Sequence, residues 1–200
     1  MNYADMMDRI LPYVAGCPED LAVQKLRDSA IEFCTETQCH ITGMTVRFDG
    51  ASAAPADMTM QVVDVVDAKV GGEQIRVLAL NDPDIDELED GEYALRFSDP
   101  NALYLIPSAT AAAPVTVDIL AIVAPGPDST KVHDDLWRRH HEAVINGALS
   151  RLYEIPARAW SNPQLAGYHG GKFEAAKRKA MADAHRNHLK PARRLRVKPA

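Results

Sequence analysis

Three histidines, two arginines, a tryptophan and a glutamate crowd into "HDDLWRRHHE", residues 133–142. Histidines beside carboxylates are the groups from which zinc sites and acid–base pairs are built. The spacing argues against both. A zinc-protease helix sets two histidines four residues apart, with a glutamate beside the first. Here His141-Glu142 is followed at the fourth position by Ile145. His133 and His140 stand seven residues apart, two turns of a helix, which is poor spacing for chelation. These histidines therefore read as side chains on a packed helix face, hydrogen-bonded to neighbours.

The remaining chemistry-bearing residues form no better constellation. Cys34 and Cys39-His40 supply half the donors of a zinc site, but the second cysteine pair is missing. With Cys17 the cysteines number three, an odd count that argues against a disulfide framework. Cys34 and Cys39 read as small buried hydrophobes at a helix end. "NDPDIDELEDGE", residues 81–92, has the acids of a calcium loop without its alternating ligands, turn glycine and closing glutamate. It reads as a solvated loop. "GYHGGKFE", residues 167–174, puts Phe173 where a phosphate loop needs serine or threonine, and no strand precedes it. Its glycines read as a hinge. Catalytic, cofactor-binding and metal-binding residues are all assigned as none, so the expectation is a protein that is not an enzyme and needs no cofactor.

Charge says more. The chain of 200 residues carries a net −6. Residues 171–200 hold ten Lys/Arg against Glu174 and Asp183, which leaves a strongly acidic body with a basic tail. Such a tail suits nucleic acid, an anionic membrane or an acidic protein surface. The longest apolar runs fall short of a membrane span. "MNYADMMDRI" has acids where a signal peptide has a basic region and an apolar run, so the protein reads as made in the cytoplasm.

The elements that must position these residues follow from period. Residues 2–11 form a short helix before Pro12. Glu19-Asp20 open a second helix that runs to about Thr37, with Leu21, Leu26, Ala30, Ile31, Phe33 and Cys34 at helical spacing. From residue 41 the chain turns to short β-branched runs: "GMTVRFDG", "TMQVVDVVDAKV", "EQIRVLAL", "YALRFSD", "NALYLIP" and "VTVDILAIV". Gly71-Gly72 is a hairpin turn and Ser98-Asp99-Pro100-Asn101 a second turn. These runs predict a small antiparallel sheet or sandwich. A helix capped by Ser129 or Thr130 then runs to about Tyr153. Residues 154–171 read as a loop, and residues 172–188 as a last amphipathic helix ended by Pro191. On the 133–152 helix, Trp137, His141, Ala148 and Leu152 share a face, and Gly147 sits mid-helix. Glycine there costs ~1 kcal/mol relative to alanine, so its presence points to close approach of another backbone, from a neighbouring helix or subunit.

The fold class is thus α+β: a helical bundle interrupted by an antiparallel β insertion, with an extended basic C-terminal tail. Residues 1–40 and 128–189 make the helical domain, 41–127 the β insertion, and 190–200 the tail.

The order of segments carries a resemblance. "ILPYVAGCPEDLAVQKLRDSAIEFCTET" precedes strands that close in "VDILAIVAPGPDS". "INGALSRL", then "AWSNPQLA", then a lysine-rich helix and the basic tail follow. This resembles the head-to-tail adaptor (connector, or neck) proteins of tailed bacteriophages over nearly the whole chain. The resemblance implies a ring, commonly of twelve copies, beneath the portal protein. The ring extends the channel through which genomic DNA passes without sequence-specific binding, and it docks a tail or nozzle protein. It implies a place in the virion neck, no membrane partner, and portal binding through Arg186, Lys190, Arg193, Arg194, Arg196 and Lys198. Trp137, His141, Gly147, Ala148 and Leu152 are expected in helix or subunit packing. The alternatives are another neck or tail protein, such as a tail completion or tube terminator protein, or a nucleic-acid-binding protein using residues 177–198.

Overall fold

The computed structural model describes residues 1–53, 59–78, 92–99 and 102–188. The acidic stretch 81–92 and the tail 190–200 therefore fall almost wholly outside the described residues. Two 3-10 turns, Ala4–Arg9 and Leu11–Tyr13, open the chain. Helix α1 spans Glu19–Thr37, α2 Asp134–Tyr153 and α3 Pro163–His188. Between α1 and α2 lie strands β1 (Ile41–Phe48), β2 (Ser52–Ala53), β3 (Met60–Val70), β4 (Glu73–Leu78), β5 (Ala94–Asp99), β6 (Ala102–Ile106) and β7 (Val115–Pro125).

Helix α1 forms as its sequence dictates. Glu19 and Asp20 sit in the first turn, and Ala22, Leu26, Ala30, Phe33 and Cys34 bury one stripe. It ends where Gln38 adopts a left-handed conformation (φ 52°) and its N–H donates to the Cys34 carbonyl at 2.9 Å. The N-terminal segment differs from expectation. It makes two 3-10 turns in place of one α-helix, and Pro12 lies inside the second, in an early position where its missing N–H costs nothing. Helix α2 is capped by His133, not by Ser129 or Thr130. The His133 Nδ1 accepts from the Asp135 N–H at 3.3 Å, and Asp134 and Asp135 occupy the first turn.

The largest correction concerns residues 154–171. Helix α3 starts at Pro163, nine residues before the expected position. The Asn162 Oδ1 accepts from the N–H groups of Gln164 and Leu165 at 3.1 Å each, and Pro163 supplies a preset first helical residue. Gly170 and Gly171 are thus helical and do not form a hinge. A Cβ on Gly170 would sit 3.0 Å from the Ser150 Oγ, so the glycine lets α3 lie close on α2. The Ser150 hydroxyl donates across this contact to the Ala166 carbonyl at 2.9 Å.

The strands form one curled sheet in the order β1-β7-β3-β4-β5-β6-β2. Gly71 and Gly72, at φ 59° and 90°, make the tight turn between β3 and β4. Pairing is antiparallel except for β4 with β5, which run parallel. Parallel neighbours need a crossover of a dozen or more residues, and residues 79–93 supply that length. Strand β3 explains its own odd sequence. Its buried residues Val62, Val65 and Ala68 recur every third position, whereas a strand alternates every second. Register shifts against β7 between Val62 and Asp64, and again between Val65 and Asp67, each insert one residue and restore the inward face.

Two hydrophobic clusters result. One joins the N-terminal turns and the three helices, with Met6, Ile10, Leu26, Phe33, Ala148 and Leu152 at its centre. The other lies inside the curled sheet, around Phe48, Val62, Leu95, Leu103, Leu105 and Val123. Strand β7 links them. Val117 to Ala121 alternate buried with exposed, but Ala121 to Pro125 are buried throughout. Ala121 and Val123 face the sheet interior while Ala124 belongs to the helical cluster.

Candidate functional site

The three histidines of α2 point to three different surroundings. The His133 ring lies 4.4 Å from that of His40. His40 is buried and its Nε2 has no hydrogen-bond partner among the described residues. Burial first, and His133 next, hold the His40 pKa below its usual value. The His140 ring lies 4.9 Å from Phe33. His141 shares a hydrogen bond with the Trp137 carbonyl at 3.1 Å, and its ring lies 5.4 Å from the indole. Arg9 covers the other part of Trp137 at 6.0 Å. Among the described residues no group of three or more His, Cys, Asp or Glu is placed to hold a metal ion.

The second half of α2 builds the tightest contact in the helical layer. Gly147, Ala148 and Leu152 are buried between α1 and α3. A Cβ on Gly147 would stand 3.0 Å from two ring carbons of Phe173 and 3.0 Å from the Ser29 Cβ. The close neighbours are therefore side chains of α3 and α1, not a backbone. Trp137 and His141 are half-buried at the same helix's start.

Around Gly147 runs an ionic network. The Arg151 Nη1 donates to the Ser29 Oγ at 2.8 Å and to the Gly147 carbonyl at 3.2 Å, and its Nη2 pairs with Glu32. Lys177, its side chain only 5% exposed, reaches Glu32 at 2.7 Å, Glu36 at 2.8 Å and Glu174 at 2.6 Å. Burial opposes its charge, but the three carboxylates outweigh burial and hold its pKa above the ordinary lysine value. Arg151 and Lys177 also flank the Phe173 ring at 5.7 and 4.8 Å. This clamp ties all three helices together. The Glu174–Lys177 spacing hints at a pair on one helix. Glu32 and Glu36 share a face of α1, but nothing in the sequence says which cation they meet.

Arg186 is exposed and pairs with Asp183 one turn earlier. The other basic residues expected at a portal, Lys190, Arg193, Arg194, Arg196 and Lys198, lie outside the described residues. Tyr13 and Tyr168, 61% and 55% exposed, are large apolar surfaces that composition did not reveal. Tyr168 carries the Lys172 ammonium over its ring at 4.5 Å. Among the described residues no helix is long and apolar enough to cross a membrane.

Among the described residues the arrangement along α2 is one of packed helices and ion pairs. A family model described as SU10 adaptor protein matches residues 1–197. No curated protein matches the chain.

Proposed function

Because the chain belongs to the SU10 adaptor protein family and is a structural phage head-to-tail adaptor, we propose that it forms a ring beneath the portal, extends the DNA channel and docks the tail. The observation that carries this reading is the family match, which spans the helices, the sheet and almost all of the basic tail. It favours the adaptor over a tail completion or tube terminator protein, and over a free nucleic-acid-binding protein.

In this reading residues 1–40 and 128–189 form the body of each subunit in a ring of twelve. The β insertion, residues 41–127, faces outward or tailward. Carboxylates of the acidic body line the channel and repel passing phosphates, so the DNA slides without sticking. Arg186, Lys190, Arg193, Arg194, Arg196 and Lys198 enter an acidic groove of the portal. The helical clamp around Gly147 supports this by giving each subunit a rigid body from which the tail can project.

The test is deletion of residues 189–200. The truncated protein keeps its far-ultraviolet circular dichroism and melting temperature, because it retains every described residue of both hydrophobic clusters and all three helices. It fails to bind purified portal and to appear on tailless heads in electron micrographs. Normal assembly of the truncated protein onto portals would overturn the tail's role.

A further inference from the structure

We propose that Cys39 is a modifiable thiol with Cys34 as its resolving partner, so that a peroxide joins the pair in an intramolecular disulfide. The left-handed Gln38 produces the juxtaposition. It turns the chain back at the end of α1, with its N–H on the Cys34 carbonyl, and Cys39 then packs against the helical cluster in which Cys34 is buried. Cys34 is closed off in the helical cluster, while Cys39 is half-buried.

Cys39 opens onto a cleft of about 240 Å³, which it lines with Asp135, Arg139 and His140 of α2. A second opening brings Asp183 and Arg186 of α3 to the same thiol. The groups lining these openings with it are thus His40, His140 and two guanidiniums against two carboxylates. A partly exposed thiol beside an imidazole and a guanidinium, with a second thiol in the cluster behind it, is the arrangement of redox-active cysteines.

The C-terminal end of α1 gives a negative charge no help, since the macrodipole opposes it there. The local donors do. The Cys34 thiol is the largest influence and lowers the Cys39 pKa, burial opposes it, and His140 lowers it further, to about 4. Cys34 is pushed up correspondingly. The Thr37 hydroxyl is already committed, donating to the Phe33 carbonyl at 2.6 Å. Cys17 makes the internal comparison. It has no thiol neighbour, its Sγ lies 3.4 Å from the Pro18 carbonyl, and burial raises its pKa.

The chemistry balances in two steps. The Cys39 thiolate attacks one oxygen of hydrogen peroxide, the O–O bond breaks, and sulfenic acid and hydroxide form. The Cys34 sulfur then attacks the Cys39 sulfur. The S–O bond breaks, and the departing oxygen leaves as water with the Cys34 proton. Two thiols are oxidised and one peroxide is reduced. The product ties the last turn of α1 to the entry of β1. If the protein is a virion component, its passage from reducing cytoplasm to oxidising surroundings supplies the change of conditions.

The full chain is alkylated with iodoacetamide between pH 5.5 and 8 and mapped by mass spectrometry. A lowered thiol pKa also weakens the nucleophile, so the profile, not the absolute rate, is decisive. Cys39 is expected to change by less than about twofold across this range, whereas ordinary thiols rise about tenfold per unit below their pKa of ~8.5. His140→Gln shifts the Cys39 inflection upward. With hydrogen peroxide, the tryptic peptide 28–47, which contains both cysteines, loses the mass of two hydrogens, and dithiothreitol restores it. Cys34→Ser abolishes that loss and leaves a dimedone-trapped sulfenic acid on Cys39, and Cys34→Ala serves if serine does not fold at that buried site. A Cys39 profile that follows the unfolded chain would overturn the proposal. So would peroxide leaving both thiols free, or driving Cys39 to sulfinic acid with Cys34 untouched.

Discussion

Alanine at Gly147 and alanine at Gly171 should shift stability in opposite directions. Both glycines are helical, so each replacement gains about 0.5–1 kcal/mol of backbone propensity. At Gly171 a Cβ meets nothing within 4 Å, and the whole gain is kept. At Gly147 the new carbon stands 3.0 Å from two Phe173 ring carbons and from the Ser29 Cβ. Carbon contacts are most favourable at ~3.5–4 Å, so three overlaps of ~0.5–1 Å must be relieved. Retreat of the ring is hindered by Arg151 and Lys177, which lie over it 5.7 and 4.8 Å from its centre. Ser29 is held by its hydrogen bonds to the Lys25 carbonyl at 2.7 Å and from Arg151 at 2.8 Å. Overpacking of this kind costs about 1–3 kcal/mol. Net of propensity, Gly147→Ala is expected to destabilise by up to ~2.5 kcal/mol, and to lie ~1–3 kcal/mol below Gly171→Ala, the overpacking cost itself. Urea unfolding followed by circular dichroism measures both, with a midpoint separation on the order of 1 M for an m-value of ~2 kcal/mol/M. Phe173→Leu in the Gly147→Ala background should recover part of the loss, which a double-mutant cycle reads directly. A Gly147→Ala midpoint at or above that of the wild type would refute the reasoning.

Lys177→Met leaves Glu36 and Glu174 without their shared cation, but these carboxylates are 46% and 52% exposed and rehydrate, so a loss of ~1–3 kcal/mol is expected in urea titrations, less than for a fully buried pair. The pH dependence has two flanks, read from melting temperatures across the range. His40 has a lowered folded pKa, so its contribution is present above ~6.5 and is lost as pH falls through the folded value; His40→Gln should flatten that acid flank. Tyr3 is 1% exposed and burial pushes its hydroxyl up to about 12, so its contribution is complete below pH ~10 and fades between there and 12. Two units correspond to ~2–3 kcal/mol, and Tyr3→Phe should remove that share of the alkaline loss.

Helix α1 was legible because one stripe of apolar residues, two acids and a clear end all agree. The six longer strands were legible as β-branched runs, and the hairpin at Gly71-Gly72 from its dipeptide. What escaped depends on partners distant in sequence. The early start of α3 was hidden because its glycines look like breakers until Ser150 is seen packed against Gly170. The His133 cap was hidden because serine and threonine stand nearby and cap more often. The parallel β4–β5 pair is a matter of topology, which short alternating runs do not encode. In the candidate site, Gly147 was recognisable as a close contact from its cost in a helix. Its neighbours Phe173 and Ser29, and the pairing of Lys177 with Glu32 and Glu36, were not, since long-range charge pairing leaves no mark in spacing.

The link between β1 and β2 has a consequence for the ring proposed above. β1 ends at Phe48 on one side of the sheet and β2 begins at Ser52 on the other, a step the chain makes with three residues. So short a link spans at most ~14 Å, which brings the two outermost strands round towards each other. An open sheet would offer unpaired N–H and C=O rows to its neighbours, an invitation to strand exchange and aggregation. Here the curl brings the edge of β1 towards the β2 end, where the two-residue strand offers little backbone to exchange. In the ring proposed above, crowding of copies at this end would then favour side-chain contacts over fused sheets.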